Sequence, residues 1–328
     1  MVNKNKDLCG YEKINFNKND YQKIILERNV KDNYFNLLDA HQIDFKTKME
    51  QNSLPIIIRE NFILQDEILY EANPDIVKVC VLVHGLEGTP EDLRKMRSIA
   101  QYYCPDCIFI LSEENEDDTW DNIERMGRKL ANEVASFLKY YTTDDRLEIS
   151  FIGFSLGGLI IRAGIPYLKD FKKYFKTLIT INTPHIGSIS SKFLVNTGMK
   201  FMTKFKKNKS LREMTLEDDE GYLIKLSKRE GLEWFETFIL MGTYNDGYAP
   251  FESCKMLYSF QRSSKSHFIE MAKNLYNRFK GKRIIKMGLY CPQTNKGFGY
   301  YLGRDAHVNV LDNTFLKHLI FYQLKEYI

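Results

Sequence analysis

The residues with the clearest capacity for chemistry lie at 153–157, Gly153-Phe154-Ser155-Leu156-Gly157, a G-x-S-x-G pattern. Before it, Leu147, Ile149, Phe151 and Ile152 are apolar, β-branched or aromatic, uninterrupted by Pro, and predict a strand. After it, Leu159, Ile160 and Ala163 fall at helix-face spacing and predict a helix over 156–167. Strand, tight turn with Ser at its tip, then helix: this is the setting a nucleophile elbow requires. So sharp a turn demands Gly two residues before and two after the Ser. The Ser backbone is then strained, and its Oγ projects above the sheet edge. The helix that follows offers free N–H groups and a positive dipole end where an oxyanion would form.

A Ser hydroxyl is a poor nucleophile at neutral pH and needs a base in reach, with a carboxylate to hold that base in the right tautomer. In such a chain the order is Ser, acid, His. After Ser155 the imidazoles are His185, His267, His307 and His318. His185 closes a strand near the elbow, while His267 and His318 fall in predicted helices. His307 lies in a predicted loop between the last strand and a terminal helix, where a base belongs, and is preferred. Asp246 follows a strand directly, with Gly247 and Pro250 beyond it, and is the preferred acid, though that composition also suits a plain turn. Asp305 and Asp312 are nearer to His307 but equally suit helix caps or turns.

Upstream, the continuous apolar run at 78–83 suits a parallel strand buried on both faces. It ends in His84-Gly85-Leu86. By position the Leu86 amide would be one oxyanion donor and the Leu156 amide the other. His84, Gly85, Gly153, Gly157 and His185 are read as residues that build or support the elbow.

Strands predicted near 78–83, 107–111, 147–152 and 176–181 alternate with helices near 91–103, 120–141 and 156–167. That alternation is the signature of a doubly wound, mostly parallel α/β sheet. Further strands are predicted at 235–242 and 283–290, and helices at 266–279 and 313–327. Residues 1–60 are Lys- and Asn-rich and read as a helical N-terminal extension. Two short strands are expected near 56–58 and 62–69, and residues 61–328 form one domain. Within it, the span 188–233 breaks the rhythm as a helical insertion. Its first half carries Lys192, Lys200, Lys204, Lys206, Lys207, Lys209 and Arg212 with no acid between them, interleaved with Phe193, Phe201, Phe205 and other apolar residues. It reads either as a packed insertion or as a lid whose basic, aromatic face at 192–212 meets anionic lipid.

Net charge is +4, from 47 basic and 43 acidic residues, too balanced to imply a nucleic-acid partner. No apolar h-region or run of membrane-spanning length is present, so a cytoplasmic protein, with peripheral membrane contact through the insertion, is expected. Cys104 and Cys107 have CxxC spacing but no companion ligands nearby, and are expected to be structural; no metal site is expected.

Several motifs in order resemble a known family: VLVHGLEGTPEDLR at 81–94, LSEENEDDTW at 111–120, FIGFSLGGLIIR at 151–162, TINTPHIGS at 180–188, GTYNDGYAPFES at 242–253 and LGRDAHVNVLDN at 302–313. They are similar to the lipase-like serine esterases of the α/β-hydrolase superfamily, a domain also found at the C-terminal end of certain large eukaryotic proteins. The resemblance implies a serine hydrolase of carboxylic esters, in particular acyl lipids. It carries the nucleophile role to Ser155, the acid to Asp246 and the base to His307. Phe154 stands where many members have His, and Cys254 where a small residue is common; neither removes a member of the triad. No metal or organic cofactor is needed for this chemistry. The alternative is a catalytically silent docking module on the same fold, attached by its basic insertion to a membrane or a protein.

Overall fold

A computed structural model describes residues 76–141, 146–188, 208–216, 221–256, 266–291 and 304–328, together with the backbone of four short strands before residue 64. Those four are β1 (Asn5–Lys6), β2 (Glu12–Lys13), β3 (Ile25–Asn29) and β4 (Ile56–Ile63). Strands therefore occupy the described stretches of 1–60 in place of the expected helices. The β-branched, aliphatic run at 56–58 favours extended backbone, and pairing with β3 on one side and β10 on the other supplies its hydrogen bonds. The two strands expected between 56 and 69 are one strand to Ile63; residues beyond it to 75 lie outside the described residues.

The body of the protein is a parallel sheet built from β5 (Val77–Val83), β6 (Cys107–Leu111), β7 (Leu147–Phe154), β8 (Phe175–Ile181), β9 (Thr237–Thr243) and β10 (Arg283–Tyr290). Strand order is β3-β4-β10-β9-β8-β7-β5-β6, with only β4 running antiparallel to its β10 neighbour. The chain leaves β5 outward to β6, then returns to β7 on the other side of β5. Strand order reverses there, and crevices that hold ligands form at such a switch point, beyond the C-terminal ends of the strands.

Helices α1 (Arg94–Tyr103), α2 (Ile123–Leu138) and α3 (Leu156–Gly164) alternate with these strands, each burying an apolar face. Asn122 caps α2 by accepting from the Arg125 N–H. Pro166 follows the end of α3, where the chain tightens into a 3-10 helix, so the helix is shorter than 156–167. The sheet has a core on each face. On one, α2 and α3 cover Val79, Val81, Val83, Ile149 and Phe151. On the other, α1 and the C-terminal helix cover Cys80, Leu82, Ile152, Ile179 and Ile239. The fold class is thus doubly wound α/β, as expected.

Within the insertion, α4 (Lys209–Met214) and α5 (Tyr222–Lys228) are described; residues 189–207, which hold Lys192, Lys200, Lys204, Lys206 and Lys207, lie outside the described residues. Leu211, Met214, Leu223 and Leu226 join the core beside α2. Glu213 Oε2 accepts from the Ile123 N–H at 2.8 Å, placing a carboxylate on the N-terminus of α2. Glu124 accepts from Tyr222 Oη at 2.8 Å and also pairs with Tyr167 and Arg229. The second half of the insertion is therefore packed structure.

After the short helix α6 (Phe251–Cys254) comes α7 (Ser266–Arg278), packed against α5. Beyond β10, α8 (Arg304–Asp312) and α9 (Thr314–Leu324) close the chain. The loop expected at 303–310 is helix α8: no Gly or Pro interrupts 304–312, and Ala306 and Val310, four residues apart, are both fully buried. Asn313 ends it by capping α9, accepting from the Leu316 N–H.

Candidate active site

Ser155 sits between the last residue of β7 and the first of α3, at φ 52° and ψ −123°, a conformation that L side chains rarely adopt. It is held there by its N–H, which donates to the Ile181 carbonyl at 2.8 Å. The glycines around it are dictated by space. A Cβ on Gly153 would lie 2.5 Å from the Gly158 Cα, and one on Gly157 would lie 2.2 Å from the Val83 carbonyl oxygen. The strand below, the helix above and the end of β5 leave no room for a side chain at either point.

The structure brings Ser155, His307 and Asp246 together from distant parts of the sequence. His307 Nδ1 lies 2.6 Å from Asp246 Oδ2, and His307 Nε2 lies 2.9 Å from Ser155 Oγ. An ionised carboxylate only accepts, so Nδ1 carries the ring proton and Nε2 is the lone pair that faces the serine hydroxyl. The Asp246 side chain is fully buried, and its other oxygen accepts from the Tyr248 and Ala249 N–H groups at 2.7 and 3.0 Å. The turn after β9 thus fixes the carboxylate while its remaining oxygen faces the ring. The imidazole lies between aromatic rings, with centroids 5.2 Å from Phe154 and 5.5 Å from Tyr248. The His307 and Asp246 side chains are buried, while Ser155 is partly open to solvent.

Val83 of β5 is in register with Gly153 of β7, so the turn after β5 lies beside the elbow. A Cβ on Gly85 would stand 3.0 Å from the Ser155 Cβ. Leu86 is the next residue, inside a turn closed by the Gly88 N–H on the Gly85 carbonyl. Leu156 opens α3, so its N–H has no partner four residues back along the helix. Both candidate oxyanion donors therefore flank the nucleophile.

His84 and His185 support this frame without reaching its chemistry. His84 is buried, with Nδ1 3.1 Å from the Gly85 carbonyl; burial lowers its pKa. His185 is fully buried, with Nε2 2.9 Å from Thr180 Oγ1, and its carbonyl accepts from Arg162 Nη1 at 2.7 Å. Burial, reinforced by the Arg162 charge, pushes its pKa well below the usual imidazole value, and burial lowers that of Arg162 to about 10. His318 packs edge-on to Tyr103, on α9. His267 lies on α7.

Two residues of the site lie within motifs of the family resemblance but are not assigned a role by the sequence. Thr119 Oγ1 accepts from the Glu87 N–H at 2.9 Å and so pins the turn that presents Leu86. Asn182, just past β8, bonds to the backbone of His307. The one signal at Asn182 is a polar residue that tolerates a left-handed backbone directly after an apolar strand, and its φ is 51°; Thr119, inside an acidic stretch, offers none. Cys104 and Cys107 are buried, and the Cys107 N–H donates to the Cys104 carbonyl. Among the described residues no group of three or more His, Cys, Asp or Glu side chains is placed to hold a metal ion.

A mostly parallel sheet with a serine elbow at its switch point, an Asp after a later strand and a His on a helix beyond the last one defines the α/β-hydrolase fold. The family described as "Putative serine esterase (DUF676)" matches residues 73–256, more than half of the 328, and the protein belongs to that family. Among solved structures, carboxyl esterase 2 of the mycorrhizal fungus Tuber melanosporum is 14% identical, with 77% of this chain and 79% of that one covered and a TM-score of 0.48. The mature Bacillus licheniformis lipase BlEst2 is 15% identical, with 65% and 94% covered and a TM-score of 0.43. The product of gene lin2722 from Listeria innocua is 13% identical, with 77% and 96% covered and a TM-score of 0.46.

Proposed function

We propose that the protein is a serine hydrolase that cleaves carboxylic esters through an acyl-enzyme on Ser155, and that its substrates are acyl lipids. The observation that carries this reading is the hydrogen-bonded line from Asp246 through His307 to Ser155, at 2.6 and 2.9 Å. Ser155 Oγ attacks the ester carbonyl as His307 Nε2 takes its proton. Asp246 holds the ring tautomer and stabilises the imidazolium. The Leu86 and Leu156 amides donate to the oxyanion as charge develops. Collapse expels the alcohol, which leaves with the proton from Nε2, and the acyl group remains on Ser155. Water, deprotonated by the same nitrogen, then releases the carboxylic acid and restores the serine.

The acyl-lipid reading is supported by the basic, aromatic composition of 192–212, which suits contact with an anionic lipid surface. No helix among the described residues is long and apolar enough to cross a membrane, so such contact would be peripheral. Cys80, Cys104, Cys107, Cys254 and Cys291 are unpaired, which supports a reducing compartment such as the cytoplasm.

The test is labelling of the purified protein with a fluorophosphonate, followed by assay on a panel of acyl esters. Labelling that disappears in Ser155→Ala, together with turnover of esters, supports the hydrolase. A folded wild-type protein that takes no label would favour the silent docking module instead.

A further inference from the structure

One dipeptide at the C-terminal end of β8 touches every arm of the site. Ile181 accepts from the Ser155 N–H at 2.8 Å. Asn182, fully buried, donates from Nδ2 to the His307 carbonyl at 3.1 Å. Its Oδ1 accepts from the Thr243 N–H at 2.9 Å and from Thr243 Oγ1 at 3.0 Å. Thr243 ends β9, and its carbonyl accepts from the Asp246 N–H at 3.2 Å. The partners dictate which way the amide faces, because the His307 carbonyl can only accept and the Thr243 N–H can only donate. The Asn182 backbone lies at φ 51°, and its own N–H donates to the Met241 carbonyl at 2.9 Å.

We infer that Asn182 is the positioning residue of the base: its side chain locks the backbone of His307 to the strand that delivers Asp246. The inference rests on the ester-hydrolase reading above. Its physical content is a fixed distance between helix α8 and the end of β9. With the amide in place, the imidazole is aimed at Ser155 from a backbone that cannot drift along the sheet edge. Without it, His307 keeps its ring contacts but loses the tie to its main chain, and a displacement of about 1 Å in a catalytic group lowers rate by about a hundredfold. Asn also suits the left-handed backbone here, which most side chains do not.

The experiment compares the full-length wild type with Asn182→Gly and Asn182→Asp. Both replacements tolerate φ 51°. Gly removes both arms of the link. Asp keeps an acceptor for Thr243 but, ionised, has no N–H for the His307 carbonyl. Circular dichroism and thermal melting report the fold, hydrolysis of p-nitrophenyl butyrate gives kcat and KM, and fluorophosphonate labelling gives the rate of serine attack. Each folded variant should lose roughly tenfold or more in kcat, with KM changed by less than about twofold. In a His307→Ala background, Asn182→Gly should slow the residual labelling no further, because it acts through the ring already gone. A folded variant with wild-type kcat, or the same fold-loss with and without His307, would overturn the inference, and so would loss of fold in both variants. A wild-type protein that takes no label overturns the ester-hydrolase reading and this inference with it. A wild type that labels beside equally active variants removes only the role of Asn182.

Discussion

Gly157 and Val83 are in such close apposition that a Cβ on Gly157 would lie 2.2 Å from the Val83 carbonyl oxygen. The neighbour is backbone, at the end of a central strand, and cannot swing aside. Gly157→Ala should therefore force α3 and β5 apart, lower stability by about 2–3 kcal/mol and displace Ser155 from His307. Chemical denaturation and esterase assay of the same preparation check this. Wild-type stability with wild-type turnover would contradict the packing described.

The packing also explains what was legible beforehand. The central strands were readable because apolar runs such as 79–83 are buried on both faces, and Ser155 because its glycines are sterically dictated. Asp246 and His307 were placed by chain order and by the ends of elements, and the structure brings both to the serine. Helix α8 does not stand out in the sequence because Ala306, Val308 and Val310 alternate with polar residues, a spacing that does not mark one helix face. Thr119 and Asn182 act on backbone groups far away in sequence, and such bonds leave no local pattern.

The second prediction concerns acid. The folded protein holds the His185 pKa well below the usual 6.5, first through burial and then through the Arg162 charge. The unfolded chain still binds a proton near 6.5. Stability is thus complete above that value and declines as pH falls below it, by up to about 1.4 kcal/mol per pH unit for this one group. His84 shifts in the same direction. Urea midpoints should be lower at pH 5 than at pH 7.5, and His185→Gln should reduce the difference. The same pH dependence in that variant would contradict the assignment.

A third prediction tests the anchored half of the insertion. Glu213 meets the first N–H of α2 at 2.8 Å and is buried. Glu213→Ala should remove a charged cap and lower stability by about 1–2 kcal/mol. Glu213→Gln, which keeps an acceptor, should cost less. Equal melting temperatures for all three proteins would show that the contact contributes nothing.

Residues 189–207 supply the fourth. Replaced by a short Gly-Ser linker, they should leave the core formed by α4 and α5 intact. If they form the lipid-facing part of a lid, long-chain ester hydrolysis and sedimentation with phosphatidylserine vesicles should fall roughly tenfold or more, and short-chain hydrolysis by less than about threefold. Equal losses on both substrates would assign the segment a structural role.

The most direct measurement is the fluorophosphonate labelling rate of the wild type, Ser155→Ala and His307→Ala, each checked for fold by circular dichroism. A serine activated by His307 should give a single label on Ser155, none on Ser155→Ala, and a rate lowered by about a thousandfold or more in His307→Ala. A label that persists without Ser155, or a rate indifferent to His307, would contradict that assignment.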